Sequence, residues 1–467
     1  MRRTKIIATI GPKTESEDMI RNLASAGMNI ARINMSHGEA NWNETVMKRI
    51  KKISEQNTFP IGLMLDTQGP EIRTSAKTEF GLEEGDTFKI AVSSACDIQE
   101  GEKHTFVDYA NLIKKVKKGQ IILIDDGLIA LEVLNVEPYN VTCKVLNKGK
   151  LGRRKSVNIP GIKTGIPSIT QKDVQDIKLG VENGIDYVAQ SFVRKKDDIK
   201  QMKELLSSLG SNAMIIAKIE DQEGIDNMDE IIEEADGIMV ARGDLGVEIP
   251  FEEIPIVQKY MVKRCIELGK PVIIATHLLE SMIENPRPTR AEVTDVANAV
   301  FEKADCIMLS GETTKGDYPI ECVRTMHTIA KNVQNRLKFE MPPDAINTKN
   351  VKEAIALGAC INAENLDAKA VIVFSKTGKL LSLVTKNRPN VDIFVFTPNE
   401  EVRKKLITYW SAFPFTIGFS DNFDAMVNNA IDMLKEHKFL VKDDRVVVVS
   451  DVNPRKNQDI LEIRTID

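Results

Sequence analysis

Two stretches of this chain place charged side chains at the ends of apolar runs, in an order that could do chemistry. The first, Ala213-Met-Ile-Ile-Ala-Lys218-Ile-Glu220-Asp221, is apolar and β-branched until two opposite charges appear, as in a buried strand. Lys218 and Glu220 are two residues apart, so on a strand both point to one side. The second, Ala235-Asp-Gly-Ile-Met-Val-Ala-Arg242-Gly243-Asp244, is an apolar run that ends in a cation, a glycine and a carboxylate. Structural salt bridges capping two strands would leave the same pattern. If both strands belong to one closed parallel sheet, a lysine and two carboxylates instead converge on one mouth.

The elements needed for that sheet are present. Short apolar runs at 4–11, 28–35, 60–67, 185–192, 213–220, 236–242, 271–277 and 305–310 alternate with helix-like segments such as 16–26, 43–55, 172–183, 195–209 and 253–268. Eight strands in strand–helix alternation predict an α/β fold, a (β/α)8 TIM barrel. An open doubly wound sheet would need a glycine-rich dinucleotide turn, and Gly11-Pro-Lys is not one. The alternation fails once, where short β segments at 87–92, 120–125, 130–136 and 140–146 are separated by turns such as Asp125-Asp-Gly. The expected domains are therefore a catalytic barrel from 1–74 and 166–345 and an inserted β domain at 75–165, placed to act as a lid. A third, open α/β domain is expected at 346–467, with strands at 368–374, 391–397 and 445–450 and helices at 351–365, 399–409 and 422–437.

Catalysis in a barrel is expected where strands end. Arg32, Asn34 and Ser36 alternate onto one side of the second strand, and Asp66 and Thr67 close the third. Ser191 and Arg194 follow the fourth, Thr276 and His277 the seventh, and Ser310 and Glu312 the eighth. Glu220 and Asp244, without histidine or cysteine partners, make a hard oxygen site suited to Mg²⁺ or Mn²⁺. Beside Lys218 and Arg32, such a site concentrates positive charge where phosphoryl transfer and enolate formation need it. Gly243 lets backbone approach a small carboxylate, and Asn34, Ser36 and Asp66 form a second oxygen cluster that could hold a monovalent cation. The residues alone describe a metal-dependent enzyme acting on a small phosphorylated acid.

Composition narrows the partners. A net charge of −5 over 467 residues, with no basic cluster, argues against nucleic acid. The N-terminal apolar run breaks at Gly11-Pro12, too short for a signal peptide, and no stretch approaches bilayer length. The six scattered cysteines have no metal spacing and suggest reduced thiols, with Cys265 and Cys306 in the core, so a cytoplasmic protein is expected.

The chain resembles pyruvate kinases over nearly its whole length. The motifs are Thr4-Lys-Ile-Ile-Ala-Thr-Ile-Gly-Pro, Arg32-Ile-Asn-Met-Ser-His-Gly, Leu65-Asp-Thr-Gln-Gly-Pro-Glu-Ile-Arg-Thr, Ile216-Ala-Lys-Ile-Glu, Ala241-Arg-Gly-Asp-Leu-Gly-Val-Glu, Pro286-Arg-Pro-Thr-Arg-Ala-Glu and Met308-Leu-Ser-Gly-Glu-Thr. The resemblance implies transfer of a phosphoryl group from phosphoenolpyruvate to ADP, giving ATP and an enolate that is protonated to pyruvate. It implies Mg²⁺ on Glu220 and Asp244, with Lys218 steadying the moving phosphoryl group and Arg32 gripping phosphate. Gly243, Asp244 and Thr276 would receive the substrate carboxylate, with Thr276 near the proton path to the enolate. Asn34, Ser36, Asp66 and Thr67 match the K⁺ site, and Glu71 matches potassium-dependent members. Asn34, His37, Arg73 and Lys155 match nucleotide-binding positions, and a homotetramer follows by analogy.

Some positions depart from the family pattern. Gln68 stands where potassium-dependent members usually carry lysine, and His277 and Leu278 replace a usual glutamine and methionine. Ser375-Lys376-Thr377-Gly378-Lys379 follows a strand and opens a helix, a geometry that favours phosphate. It matches the family's sugar-phosphate effector loop only in part, because Leu380 follows it. Asp451-Val-Asn-Pro-Arg-Lys-Asn replaces the usual glycine-rich loop. The resemblance thus leaves regulation by fructose 1,6-bisphosphate open, beside a domain that serves mainly for assembly. Two other readings stand beside this one, an enolpyruvate lyase or aldolase that shares the metal carboxylates and a non-catalytic metabolite-binding relative. A lyase has no need of Lys155 or a nucleotide lid, and a non-catalytic relative should have lost Lys218, Arg32 or a metal carboxylate.

Overall fold

The computed structural model describes residues 1–75, 79–93, 95–96, 98–99, 101–340, 350–452 and 459–467. Eight parallel strands close into a barrel: Lys5–Thr9, Ile30–Asn34, Gly62–Asp66, Tyr187–Gln190, Met214–Ile219, Gly237–Ala241, Val272–Ala275 and Cys306–Leu309. They pair in chain order around the ring, the first closing on the last with Lys5 opposite Cys306. The TIM-barrel expectation is met, and the strand centres fall inside the expected runs. The strands read as continuous apolar runs because both faces are buried. Ile7, Met64, Tyr187, Ile216 and Met239 fill the barrel interior, while Ile6, Leu65, Val188, Ile215 and Val240 pack against the surrounding helices.

Local signals fix the helices that hold the rim. Ser16 caps Glu17–Ala26, and Thr170 and Thr289 form capping boxes with Asp173 and Glu292. The fully buried Asp173 does more than cap, since its Oδ1 accepts the N–H groups of Gln68 and Gly69. The loop after the third strand is thereby tied to the helix before the fourth.

Between the third and fourth barrel strands lies a six-stranded sheet with its own core around Phe88, Ile122, Leu131 and Val141, and a two-stranded sheet beside it. Phe80–Leu82, His104–Phe106, Gly149–Leu151 and Val157–Asn158 in this region are too short to show a period in sequence. The C-terminal part carries a five-stranded sheet, where three strands were expected. The additional ones are Ala412–Thr416 and Ile460–Thr465, one at each edge. Pro414 disguises the first, and an edge strand tolerates it. The expected helix at 399–409 divides into Glu400–Lys405 and a 3-10 turn, Leu406–Thr408. No helix among the described residues is long and apolar enough to cross a membrane.

Candidate active site

The rim is built around one buried lysine. Lys218, near the end of the fifth strand, is 8% exposed. Its Nζ lies 2.8 Å from Glu220 Oε1, 3.0 Å from Asp66 Oδ1 and 2.6 Å from Ser191 Oγ. Lys218 and Glu220 share a side, as their spacing predicts. Asp66, at the end of the third strand, also accepts from Arg32 Nε at 2.6 Å, and Arg32 Nη1 donates to Thr9 Oγ1. The ends of five strands thus meet in one network of two cations, two carboxylates and two hydroxyls.

Electrostatics follows from burial. Burial works against the charge on Lys218, but Asp66, Glu220 and Asp244 outweigh it and hold its pKa above the usual lysine value. Burial likewise opposes ionisation of Asp66, yet Arg32 and Lys218 keep its carboxyl below the ordinary range. Glu220 and Asp244 go the other way. Burial raises Glu220, with Lys218 opposing and Asp244 adding, and burial raises Asp244. Glu220 is held in place by the Phe192 N–H, which donates to Oε2 at 2.7 Å.

Those two carboxylates, pushed toward their neutral forms chiefly by burial, are the donor set a divalent cation would suit. Among the described residues no group of three or more His, Cys, Asp or Glu side chains is arranged around a metal position. A hard ion held by only two carboxylates takes its other oxygens from substrate and water, as Mg²⁺ habitually does. The second cluster differs in charge. Asn34 Oδ1 accepts from Ser36 N, Thr67 Oγ1 accepts from Ser191 N, and the Asp66 charge is already balanced by two cations. Mainly neutral oxygens fit a monovalent ion.

Gly243 and Asp244 lie in the first turn of a helix, Arg242–Glu248, that sequence reading took only as a strand end. Two glycines in seven residues hide it. The Gly243 N–H donates to Thr276 Oγ1 at 2.7 Å, and that hydroxyl donates to Ala275 O at 2.6 Å. Thr276 and His277 both hold positive φ, 65° and 55°, which is rare for the β-branched Thr276. Arg242 secures this turn. Its Nη2 donates to Thr276 O and its guanidinium forks onto Asp295 at 2.7 and 2.8 Å.

Around Arg32, Asn34 and His37 opens a cleft of about 710 Å³ whose far wall carries Pro12, Trp42 and Lys315. Arg73 and Lys155 lie on paired segments at the root of the inserted domain, each with a carboxylate. Arg73 Nε meets Glu71 at 2.6 Å, and Lys155 Nζ meets Asp125 at 2.9 Å. The 375–379 loop is far along the chain in the C-terminal sheet. Ser375 and Gly378 are buried there, while Lys376, Thr377 and Lys379 are exposed. Of the 451–457 stretch, residues 453–457 fall outside the described residues. Thr9 and Trp42 belong to the neighbourhood but were not singled out, and Ser191 and Arg242 were noted only as strand-end residues. The hydroxyls carry no spacing signal, and Trp42 sits on the helix beyond the rim.

An α/β barrel with a cation-rich, oxygen-lined mouth beneath an inserted β domain defines a class of barrel enzyme. Residues 1–323 match the family model for the pyruvate kinase barrel domain, and residues 353–463 match that for its alpha/beta domain. A pyruvate kinase of Staphylococcus saprophyticus is 42% identical over 97% of this chain and 78% of its own length. One of Clostridium acetobutylicum is 40% identical over 100% of both chains. The crystal structure of a pyruvate kinase from Cryptosporidium parvum aligns with a TM-score of 0.92 at 34% identity, covering 100% of this chain and 96% of that one. The chain belongs to the pyruvate kinase family and is a phosphotransferase.

Proposed function

We propose that the barrel rim moves the phosphoryl group of phosphoenolpyruvate to ADP with Lys218, Arg32 and Thr276 as its working side chains. The carrying observation is the buried junction of Lys218, Arg32, Asp66 and Glu220. Lys218, fixed on three sides and held cationic, meets the charge spread over a phosphoryl group in flight. Arg32, anchored through Asp66 and Thr9, presents its remaining donors to phosphate. Gly243, Asp244 and Thr276 receive the substrate carboxylate at the start of the Arg242–Glu248 helix. The Thr276 hydroxyl, fixed by Gly243 N–H and Ala275 O, lies beside the water path that would protonate the enolate.

Glu220 and Asp244 would hold Mg²⁺ or Mn²⁺, which supplies Lewis-acid charge at the substrate and phosphoryl oxygens. Asn34, Ser36, Asp66 and Thr67 would hold K⁺, which adds positive charge beside the phosphate. Asn34, His37, Arg73 and Lys155 bind the nucleotide, and the cleft walled by Trp42 and Pro12 is large enough for its base. Closure of the inserted domain brings Lys155 over the nucleotide and excludes water that would hydrolyse the donor.

The remaining readings have support of their own kind. Three separate core groups support domains at 1–74 with 166–345, 75–165 and 346–467. The buried thiols Cys143, Cys265, Cys306, Cys322 and Cys360, none of them in a disulfide, support a reducing cytoplasmic setting. Phe251, Ile256, Val293 and Phe301, exposed on neighbouring barrel helices, support a homotetramer. A phosphorylated effector at Ser375–Lys379 is supported by the loop's exposed lysines.

The test is a coupled assay of pyruvate formed from phosphoenolpyruvate and ADP with Mg²⁺, with and without K⁺. Pyruvate should appear only with ADP and rise with K⁺. ADP-independent pyruvate, or none, refutes the reading, and full activity without K⁺ refutes only the potassium site.

A further inference from the structure

We propose that the hydrogen bond from Asn158 to Glu248 registers the lid on the barrel, making both of them positioning residues for phosphoryl transfer. Asn158 Nδ2 donates to Glu248 Oε1 at 2.8 Å across the gap between the inserted domain and the rim. What each residue is attached to gives the contact its meaning. Asn158 ends a short lid strand, and Lys155 lies three residues before it on the same extended segment. That segment pairs on one side with Ile121–Ile124 and on the other with the chain leaving the barrel, through Thr74 N to Lys155 O and Val157 N to Ile72 O. Glu248 ends the helix whose first turn carries Gly243 and Asp244. One hydrogen bond therefore fixes the segment bearing the nucleotide-side lysine against the helix bearing the substrate-side groups.

Neighbouring contacts agree with this alignment. Packing brings the lid turn onto the same helix, since a Cβ built on Gly127 would lie 3.8 Å from Val247 Cγ1. Arg194 braces the second lid connection, donating to Ile166 O at 3.0 Å while its Nε holds Asp221. Lys163 and Glu223 add a further pair at 3.4 Å, but Lys163 is solvent-exposed and such a pair contributes little. Asn158 and Glu248 are partly buried, so their contact specifies the register of the lid on the rim.

The proposal rests on the roles given above to Lys155 and Asp244, and its test separates the two. The variants are Asn158→Asp, which sets two carboxylates face to face, Glu248→Ala, and the double variant Asn158→Asp/Glu248→Gln. In the double variant the new amide donates to the new carboxylate, restoring the bond in reverse. The readouts are kcat, the KM values for both substrates, melting temperature and backbone hydrogen exchange over 155–158. Each single variant should lower kcat about tenfold, leave the KM for phosphoenolpyruvate within about threefold and melt as the parent does. The double variant should recover most of kcat, and the faster exchange seen in Asn158→Asp should return to the parental rate. Single variants within twofold of the parent in both kcat and exchange would overturn the proposal, as would a double variant no better than Asn158→Asp. Exchange does not require turnover, so an inactive parent would remove the roles of Lys155 and Asp244 while the latch is still decided.

Discussion

Lys218 is held by three oxygens in a space that admits almost no water, and each of them limits what a substitution can do. Replacing it with methionine keeps the volume and removes the cation. Asp66 retains Arg32 as partner, so the network is not wholly stranded, but Glu220 loses its compensating charge. Breaking such a buried pair costs on the order of 3–5 kcal/mol. Removing one preorganised electrostatic group from a transition state costs about 10²–10³-fold in rate. Lys218→Met should therefore lower kcat by at least that factor and lower the melting temperature. Phosphoenolpyruvate binding, followed by equilibrium dialysis with Mg²⁺, should stay within several-fold. Near-normal turnover would remove the role assigned to Lys218. A second residue-scale test concerns Asp186, at the floor of the fourth strand, where Oδ2 accepts the Leu63 N–H. Burial pushes its carboxyl up to about 6. The folded state then holds a proton that the unfolded chain has released, so stability falls as pH rises from about 4 to 6. Relative to Asp186→Asn, the parent should lose on the order of 2–3 kcal/mol across that window in urea unfolding. Parallel curves for the two proteins would refute this.

At the scale of elements, sequence and structure agree where one physical signal dominates. The eight barrel strands were legible because both faces are buried and the apolar runs are unbroken. Their charged ends were legible because a charge that stops such a run must be paired or used, as Lys218, Glu220, Asp66 and Arg32 are. The signal fades where two requirements compete. The Arg242–Glu248 helix contains Gly243 and Gly246, poor helix formers, because the first must let other groups come close. A Cβ on Gly243 would stand 3.3 Å from Thr276 Oγ1 and 3.5 Å from Thr276 Cβ. Gly243→Ala thus strengthens the helix by up to about 1 kcal/mol while crowding the place assigned to the substrate carboxylate. Stability should change by less than about 1 kcal/mol, and the KM for phosphoenolpyruvate should rise about tenfold. An unchanged KM would place the carboxylate elsewhere. Thr276 and His277 illustrate the same limit. Nothing in Ala275-Thr276-His277 announces two left-handed residues, because the guanidinium that secures the turn comes from Arg242, which opens the helix after the neighbouring strand.

At the scale of the whole molecule, the barrel floor is closed by the C-terminal domain through buried polar groups that sequence could not pair across the chain. Asp305, 0% exposed, takes Arg388 on both oxygens at 2.9 and 2.6 Å and also accepts from Val272 N and Trp410 N. Tyr187 donates its hydroxyl to Lys404 O, and Lys5 Nζ reaches Ala412 O at 2.6 Å while lying over the Phe413 ring. Asp305, Arg388, Tyr187 and Lys5 each take at least one partner from the other domain, so docking is closer to all-or-none than graded. Asp305→Ala would leave Arg388 buried without its counter-charge and cost about 3–5 kcal/mol. The expected result is a thermal transition that splits in two, the first accompanied by a red shift of tryptophan emission. Trp410 is 0% exposed at this floor, whereas Trp42 is already part-buried in the rim cleft, so the shift reports undocking. Replacing both partners, Asp305→Leu with Arg388→Met, removes the stranded charge and should restore much of the lost stability. A single transition with unchanged emission in Asp305→Ala would mean that the apolar contacts hold the domains together by themselves. The buried pair would then matter for which way the domains meet, not for whether they do.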